Sequence, residues 1–160
     1  MTRSEFTEKV GRSQKALRRF LTALCCGDSQ MADDLAQETF VKAWLTIGNI
    51  RNEQAFDAWI RQIAYNTFLN SRRRPREMSL DSSLYESKAS TEYEAEREFK
   101  YQDLYEALGR LTPKERTSIV LHYLEGYSVK EIARTENLSV DAVKQHLSRG
   151  RAHLRHLLKL

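Results

Sequence analysis

Apolar residues recur every three or four positions along almost the whole chain, the spacing of helices that each bury one face. Near the front, Leu17, Phe20, Leu21 and Leu24 keep this spacing until Gly27-Asp28-Ser29 breaks it. A nearly unbroken stripe follows: Ala32, Leu35, Ala36, Thr39, Phe40, Ala43, Trp44 and Ile47, closed by Gly48-Asn49. A third runs through Phe56, Trp59, Ile60, Ile63, Ala64, Thr67 and Phe68. It meets Arg72-Arg73-Arg74 and stops at Pro75, since proline disfavours helical backbone just before it. Three aligned stripes predict a small bundle over residues 1–76.

The pattern then lapses. Residues 77–92 carry Ser79, Asp81, Ser82, Ser83, Ser87, Ser90 and Thr91 with few large apolar side chains, the composition of a linker. Thr91–Glu94 is spaced to cap a further helix through Phe99, Leu104, Tyr105 and Leu108. Helix signals become dense after it. Thr112-Pro113-Lys114-Glu115 offers an N-cap, a proline at the first helical position and a glutamate three residues on. The helix it opens carries Ile119, Val120, Tyr123 and Leu124 as its inner side and ends at Gly126. Ser128-Val129-Lys130-Glu131 is a second capping box, opening a helix with Ile132 and Ala133 inside. Asn137-Leu138 makes a turn, Ser139 caps the last helix, and Val143, Leu147, Leu154, Leu157 and Leu158 are expected on its inner face. No strand-like alternation and no internal repeat occurs. The fold class predicted is all-α: two small helical domains, residues 1–76 and 101–160, joined by a flexible acidic linker, 77–100.

Charge sharpens this division. Residues 1–76 hold thirteen Lys/Arg against eight Asp/Glu, a net +5. Residues 77–100 hold three against seven, a net −4, and residues 101–160 ten against seven, a net +3. Two basic ends suit phosphate contacts, and an acidic centre is repelled by them. No run approaches the roughly 20 apolar residues that span a bilayer, so no membrane insertion is expected. MTRSEFTEKVGR has no apolar core of the kind a signal peptide needs. Cys25 and Cys26 are adjacent, which disfavours a disulfide scaffold and points to a reducing cytoplasm.

The last two helices read as a helix-turn-helix, in which one helix braces a second that enters the major groove. Val129, Ile132, Ala133, Leu138, Val143 and Leu147 form the brace. Left outward on the last helix are Asp141, Lys144, Gln145, Ser148 and Arg149, with Arg151 and Arg155 beyond. Lys144, Gln145, Ser148 and Arg149 share one face, and their types suit base edges: Lys or Arg to guanine, Gln to adenine. Lys130, Arg151 and Arg155 suit phosphates. A solvated basic face on a helical bundle is the plainer alternative. In the front bundle, the side of the second helix opposite its stripe holds Asp34, Gln37, Glu38, Val41, Lys42 and Leu45. Charges around exposed Val41 and Leu45 make a protein-docking surface; two exposed apolar residues also occur on ordinary helices.

DDLAQETFVKAW resembles region 2.2 of bacterial sigma factors. RNEQAFDAWIRQIAYNTFLNSRRR is similar to regions 2.3 and 2.4, and LYEALGRLTPKERTSIVLHYLEGYSVKEIARTENLSVDAVKQHLSRGRAHL to regions 4.1 and 4.2. With only these two domains, the chain resembles the extracytoplasmic-function (ECF) group. The resemblance implies a factor that binds RNA polymerase core, recognises −10 and −35 promoter elements and initiates transcription of a specific gene set. It implies that Asp34, Gln37, Glu38, Val41, Lys42 and Leu45 dock on the polymerase clamp, and that the last domain meets the −35 element near the flap. It implies that the loop Ile47–Glu53 captures a flipped base of the −10 element, with Asn49, Arg51 and Asn52 as hydrogen-bonding groups. Asn66 matches the family's asparagine, beside Gln62, Asn70 and Arg73 on a polar face. Tyr65 lies off the apolar stripe and is the candidate stacking platform, whereas Phe56 and Trp59 lie on the stripe and are assigned to the core. Arg72, Arg73, Arg74 and Arg76 would track duplex backbone. The acidic linker would thread the enzyme, with Glu92, Glu94, Glu96 and Glu98 mimicking nucleic acid. An anti-sigma factor is the further partner implied. The first helix departs from the family by being short and basic, with Lys15, Arg18 and Arg19.

Catalytic and metal chemistry find no support in the residues. Among His122, His146, His153 and His156, only the last two share a helical face closely, and no third ligand accompanies them in sequence. The six glycines are scattered and form no phosphate-binding loop. No cofactor and no enzyme activity are expected. The rival class is a self-sufficient DNA-binding regulator whose front domain senses a ligand or dimerises.

Overall fold

The computed structural model describes residues 1–50, 52–73 and 101–159, except for the side chain of Arg73. Arg51, Arg74, Arg76, the linker residues 77–100 and the cap at Thr91 lie outside the described residues. Those described form helices and short turns, with no strand among them. The chain divides into two compact units: Met1–Thr22 with Asp28–Ala89, and Ala23–Gly27 with Ser90–Leu160.

Helix α1 spans Arg3–Leu24, and all but its last two residues belong to the first unit, so the first helix is long rather than short. A capping box at its start explains this: Glu5 N donates to Thr2 Oγ1 and Thr2 N to Glu5 Oε2. The extension brings Phe6 into the core, edge-on to Trp44 at 5.3 Å and to Phe56 at 5.9 Å. Helix α2, Ser29–Leu45, is capped by Asp28, which accepts from Met31 N. It buries Ala32, Leu35, Ala36, Thr39 and Ala43, the expected stripe. Phe40 is half-buried, and Trp44 is 36% exposed. A 3-10 turn, Glu53–Ala55, leads into α3, Phe56–Arg73. Helix α3 packs on α2. The buried Thr39 and Thr67 hydroxyls donate to the carbonyls of Leu35 and Ile63 in the turns before them, so neither is left without a partner.

The second unit holds α4 (Gln102–Arg110), α5 (Pro113–Ile119), a π-helical turn (Val120–Leu124), α6 (Val129–Glu136) and α7 (Val140–Leu157). Both capping boxes form as the sequence predicts, at Thr112/Glu115 and Ser128/Glu131, and Ser139 caps α7. Asn137 closes α6 in the left-handed conformation at φ 54°, which asparagine tolerates better than most side chains. Helix α7 packs against α5 and α6.

The π turn overturns part of the expected inner face. Glu125 N donates to Val120 O, one residue further back than an α-helical bond reaches. The extra residue rotates the helix, so Leu121 is buried while Tyr123 is 59% and Leu124 38% exposed. At the end of α7, Leu154, Leu157 and Leu158 are only half-buried. Gly150 is buried in place of a larger side chain: a Cβ there would stand 2.8 Å from Ile119 Cγ1. Only a residue without a side chain lets α7 approach α5 this closely.

Candidate functional site

The outward face of α7 begins at its cap. Ser139 satisfies Ala142 N, and Val143, Leu147 and Gly150 fix the inner side. Lys144, Gln145, Ser148, Arg149 and Arg151 are thereby all exposed, as is Lys130 on α6. Lys144, Ser148, Arg151 and Arg155 form one ridge, and Gln145 and Arg149 the next. The guanidinium of Arg151 donates to the Tyr123 hydroxyl at 3.2 Å.

On α2, Asp34, Gln37, Val41 and Leu45 are exposed, the last two by 58% and 75%. Glu38 and Lys42 are half-buried and paired with each other at 3.3 Å. Lys42 also donates to Thr67 Oγ1 at 3.2 Å. The pair therefore borders the apolar spot and ties α2 to α3.

Along α3, Gln62, Asn66 and Asn70 stand at intervals of four and are all exposed. Gln62 Nε2 donates to Asn66 Oδ1 at 3.3 Å, which orients both amides along the ridge. Asn49 is exposed. Asn52 accepts from Gln54 N through Oδ1, so it caps the 3-10 turn and keeps its amide protons for other partners. Tyr65 is a correction: it is only 3% exposed and offers no face to a base. Helix α3 is covered on more than its stripe, so the buried arc takes in Tyr65 beside Ala64 and Phe68 of the stripe. Trp59 is corrected the other way. It is half-buried, tilted against Phe56 at 5.8 Å, and three residues from Gln62 on the flank of the ridge.

Three features escaped the sequence reading. Arg116 is buried and donates to the carbonyls of Leu108 at 2.8 Å, Leu111 at 3.0 Å and Gly109 at 3.3 Å. Its charge sits where the C-terminal carbonyls of α4 concentrate negative potential. Glu115, 4% exposed, meets His153 Nδ1 at 3.0 Å across the α5–α7 contact. Burial pushes its carboxyl up; hydrogen bonds from His153 and Thr112 and the charge of His153 outweigh this and hold it below its ordinary 4.5. Near the N-terminus, Lys9 Nζ donates to Glu53 O at 3.3 Å and Ser13 to Asp57 at 2.6 Å. These tie α1 to the lead-in of α3, and only the spacing Thr2–Glu5 signals in sequence that α1 starts so early. Among the described residues there is no cluster of three His, Cys, Asp or Glu fit to hold a metal ion. No described helix is long and apolar enough to cross a membrane.

Residues 10–77 match the family model for sigma-70 region 2, and residues 101–154 that for sigma-70 region 4. Over 137 residues the chain is 32% identical to the RNA polymerase sigma-H factor of Pseudomonas aeruginosa, covering 78% of this chain and 71% of that protein. It is 30% identical to the ECF RNA polymerase sigma factor SigE of Mycolicibacterium smegmatis, over 82% of this chain but about half, 53%, of that longer protein. The solved structure of the sigma factor RpoE from Bartonella quintana, in complex with the anti-sigma factor NepR, is 26% identical. It aligns with a TM-score of 0.74 over 97% of each chain. CnrH, solved with the cytosolic domain of CnrY, is 27% identical with a TM-score of 0.66 over 96% of this chain and 87% of that one. With one unit like region 2 and the other like region 4, the chain belongs to the sigma-70 family of RNA polymerase sigma factors, in its extracytoplasmic-function group.

Proposed function

We propose that this protein is a promoter-specificity subunit: it joins RNA polymerase core, directs it to −10 and −35 elements and opens the first of them. The observation that carries this reading is the pairing, in one chain, of an exposed apolar spot on α2 with an exposed basic face on α7. Residues 1–76 dock and melt, residues 101–160 bind duplex, and residues 77–100 link them. Asp34, Gln37, Val41 and Leu45 meet the clamp, with Glu38 and Lys42 holding the surface in place. Lys144, Gln145, Ser148 and Arg149 read −35 base edges, and Lys130 and Arg151 take phosphates near the polymerase flap.

For the −10 element, Gln62, Asn66 and Asn70 line a track for the extruded strand, with Asn49 and Asn52 contributing from the preceding loop, and the family resemblance assigns Arg51 and Arg73 to the same strand. Trp59, on the flank of that track, replaces Tyr65 as the stacking platform. Stacking on an aromatic side chain contributes roughly 1–3 kcal/mol per base, enough to offset the cost of extrusion. The chain supplies recognition and no covalent chemistry of its own, uses no cofactor, and works in the cytoplasm at the nucleoid. One of the similar solved proteins, RpoE of Bartonella quintana, was captured with an anti-sigma factor, which supports an anti-sigma factor as this chain's own partner.

The test is run-off transcription from fragmented genomic DNA of the organism that carries the chain, using purified core polymerase with and without it. Discrete transcripts that appear only with the chain are expected. A chain that binds defined sites tightly without polymerase, yet starts no transcript with it, would be the self-sufficient regulator instead.

A further inference from the structure

We infer that Tyr123 and Arg151 form a composite clamp for one DNA-backbone phosphodiester, with Tyr123 fixing the direction of the arginine. The inference rests on α7 being the DNA-reading helix. Tyr123 is 59% exposed because the π turn at Val120–Leu124 rotates it out of the core; single π turns occur often at functional sites. Its ring does not swing freely. His122 packs edge-on against it at 4.9 Å, and His122 Nδ1 donates to Tyr127 O at 2.7 Å. The Tyr123 hydroxyl accepts from Arg151 Nη1 at 3.2 Å. Having accepted, the hydroxyl still has its own proton to donate, and the guanidinium has four of its five N–H groups left. Two converging donors, one charged and one neutral, match the adjacent oxygens of a phosphodiester. Arg151 shares its ridge with Lys144 and Ser148, so a backbone held there lies beside the bases those residues face.

The clamp is independent of base sequence, so a short random-sequence duplex is the probe. Its binding to the full chain is followed by fluorescence anisotropy across a salt series. Arg151→Ala should flatten the salt dependence by about one unit of slope. Tyr123→Phe removes only the hydroxyl and should weaken binding about two- to tenfold. The readout that a merely structural tyrosine would not give is coupling: Tyr123→Phe should cost clearly less in the Arg151→Ala chain than in the unaltered one, the remainder being the hydroxyl's own bond to the phosphate. Arg151→Lys should keep the slope but lose the coupling, because an ammonium lacks the planar fork.

Additive losses, or a silent Tyr123→Phe beside a damaging Arg151→Ala, would overturn the clamp. If Arg149→Ala weakens binding while Tyr123→Phe and Arg151→Ala do not, the clamp is wrong and the reading of α7 stands. If Lys144→Ala and Arg149→Ala are silent as well, both fall.

Discussion

Replacing Arg116 tests whether one buried side chain holds the second unit together. Its guanidinium bonds three carbonyls at the end of α4 and in the loop to α5, at 2.8, 3.0 and 3.3 Å. A hydrogen bond with one charged partner contributes about 1.5–3 kcal/mol. The three share one group and the longest is weak, so they do not add fully. Leaving a buried carbonyl without its donor costs about 1–3 kcal/mol, and Arg116→Ala strips the donor from up to three of them. A domain of this size has only about 3–9 kcal/mol of stability in total. Arg116→Ala should therefore leave the second unit largely unfolded or close to it, and Arg116→Lys, with a single compact donor head, should recover part of the loss.

Both tryptophans, Trp44 and Trp59, lie in the first unit, so their fluorescence reports that unit alone during urea unfolding. Amide hydrogen exchange over residues 101–159 reports the second. The expected result is an unchanged tryptophan transition together with lost exchange protection in α4 to α7, and with it lost duplex binding. Protection in Arg116→Ala within about 0.5 kcal/mol of the unaltered chain, the scale of an ordinary surface change, would refute this role for Arg116.

Three further outcomes follow from the geometry. Gly150→Ala gains about 1 kcal/mol of helix propensity but forces a Cβ to 2.8 Å from Ile119 Cγ1. With overpacking at about 1–3 kcal/mol the net is a loss of up to about 2 kcal/mol, and a higher urea midpoint would contradict it. Glu115 has its folded value lowered, so its contribution is complete above the ordinary 4.5 and disappears as pH falls through the folded value. Glu115→Gln should thus be less stable than the unaltered chain at neutral pH and converge with it in acid; parallel urea midpoints across that range would rule this out. Leu45→Asp, at a position 75% exposed, should leave unfolding within about 0.5 kcal/mol. It should weaken core polymerase binding at least about tenfold, and equal affinity in a titration against labelled core would displace the docking surface from α2.

Periodicity and caps were enough to determine the helices themselves: the stripes of α2 and α3, the two capping boxes, the Asn137 turn and the basic outward face of α7 are all local signals. The order of the quoted motifs carried the family, since they follow one another along the chain. Interactions between distant residues had no such signature. Phe6 entered the core because a cap at Thr2 let α1 run far enough to meet Trp44 and Phe56. Tyr65 went inside and Trp59 came to the edge because the arc a helix buries depends on what covers it. The π turn moved Tyr123 out by shifting the helical phase one residue, which no spacing rule anticipates. Arg116, Glu115–His153 and Gly150 took their roles from atoms brought within 2.8–3.3 Å by packing between helices. Sequence decided which faces exist, because side-chain period is local. Only the packed chain decided which of them stay exposed, because burial is settled by neighbours that lie far away in sequence.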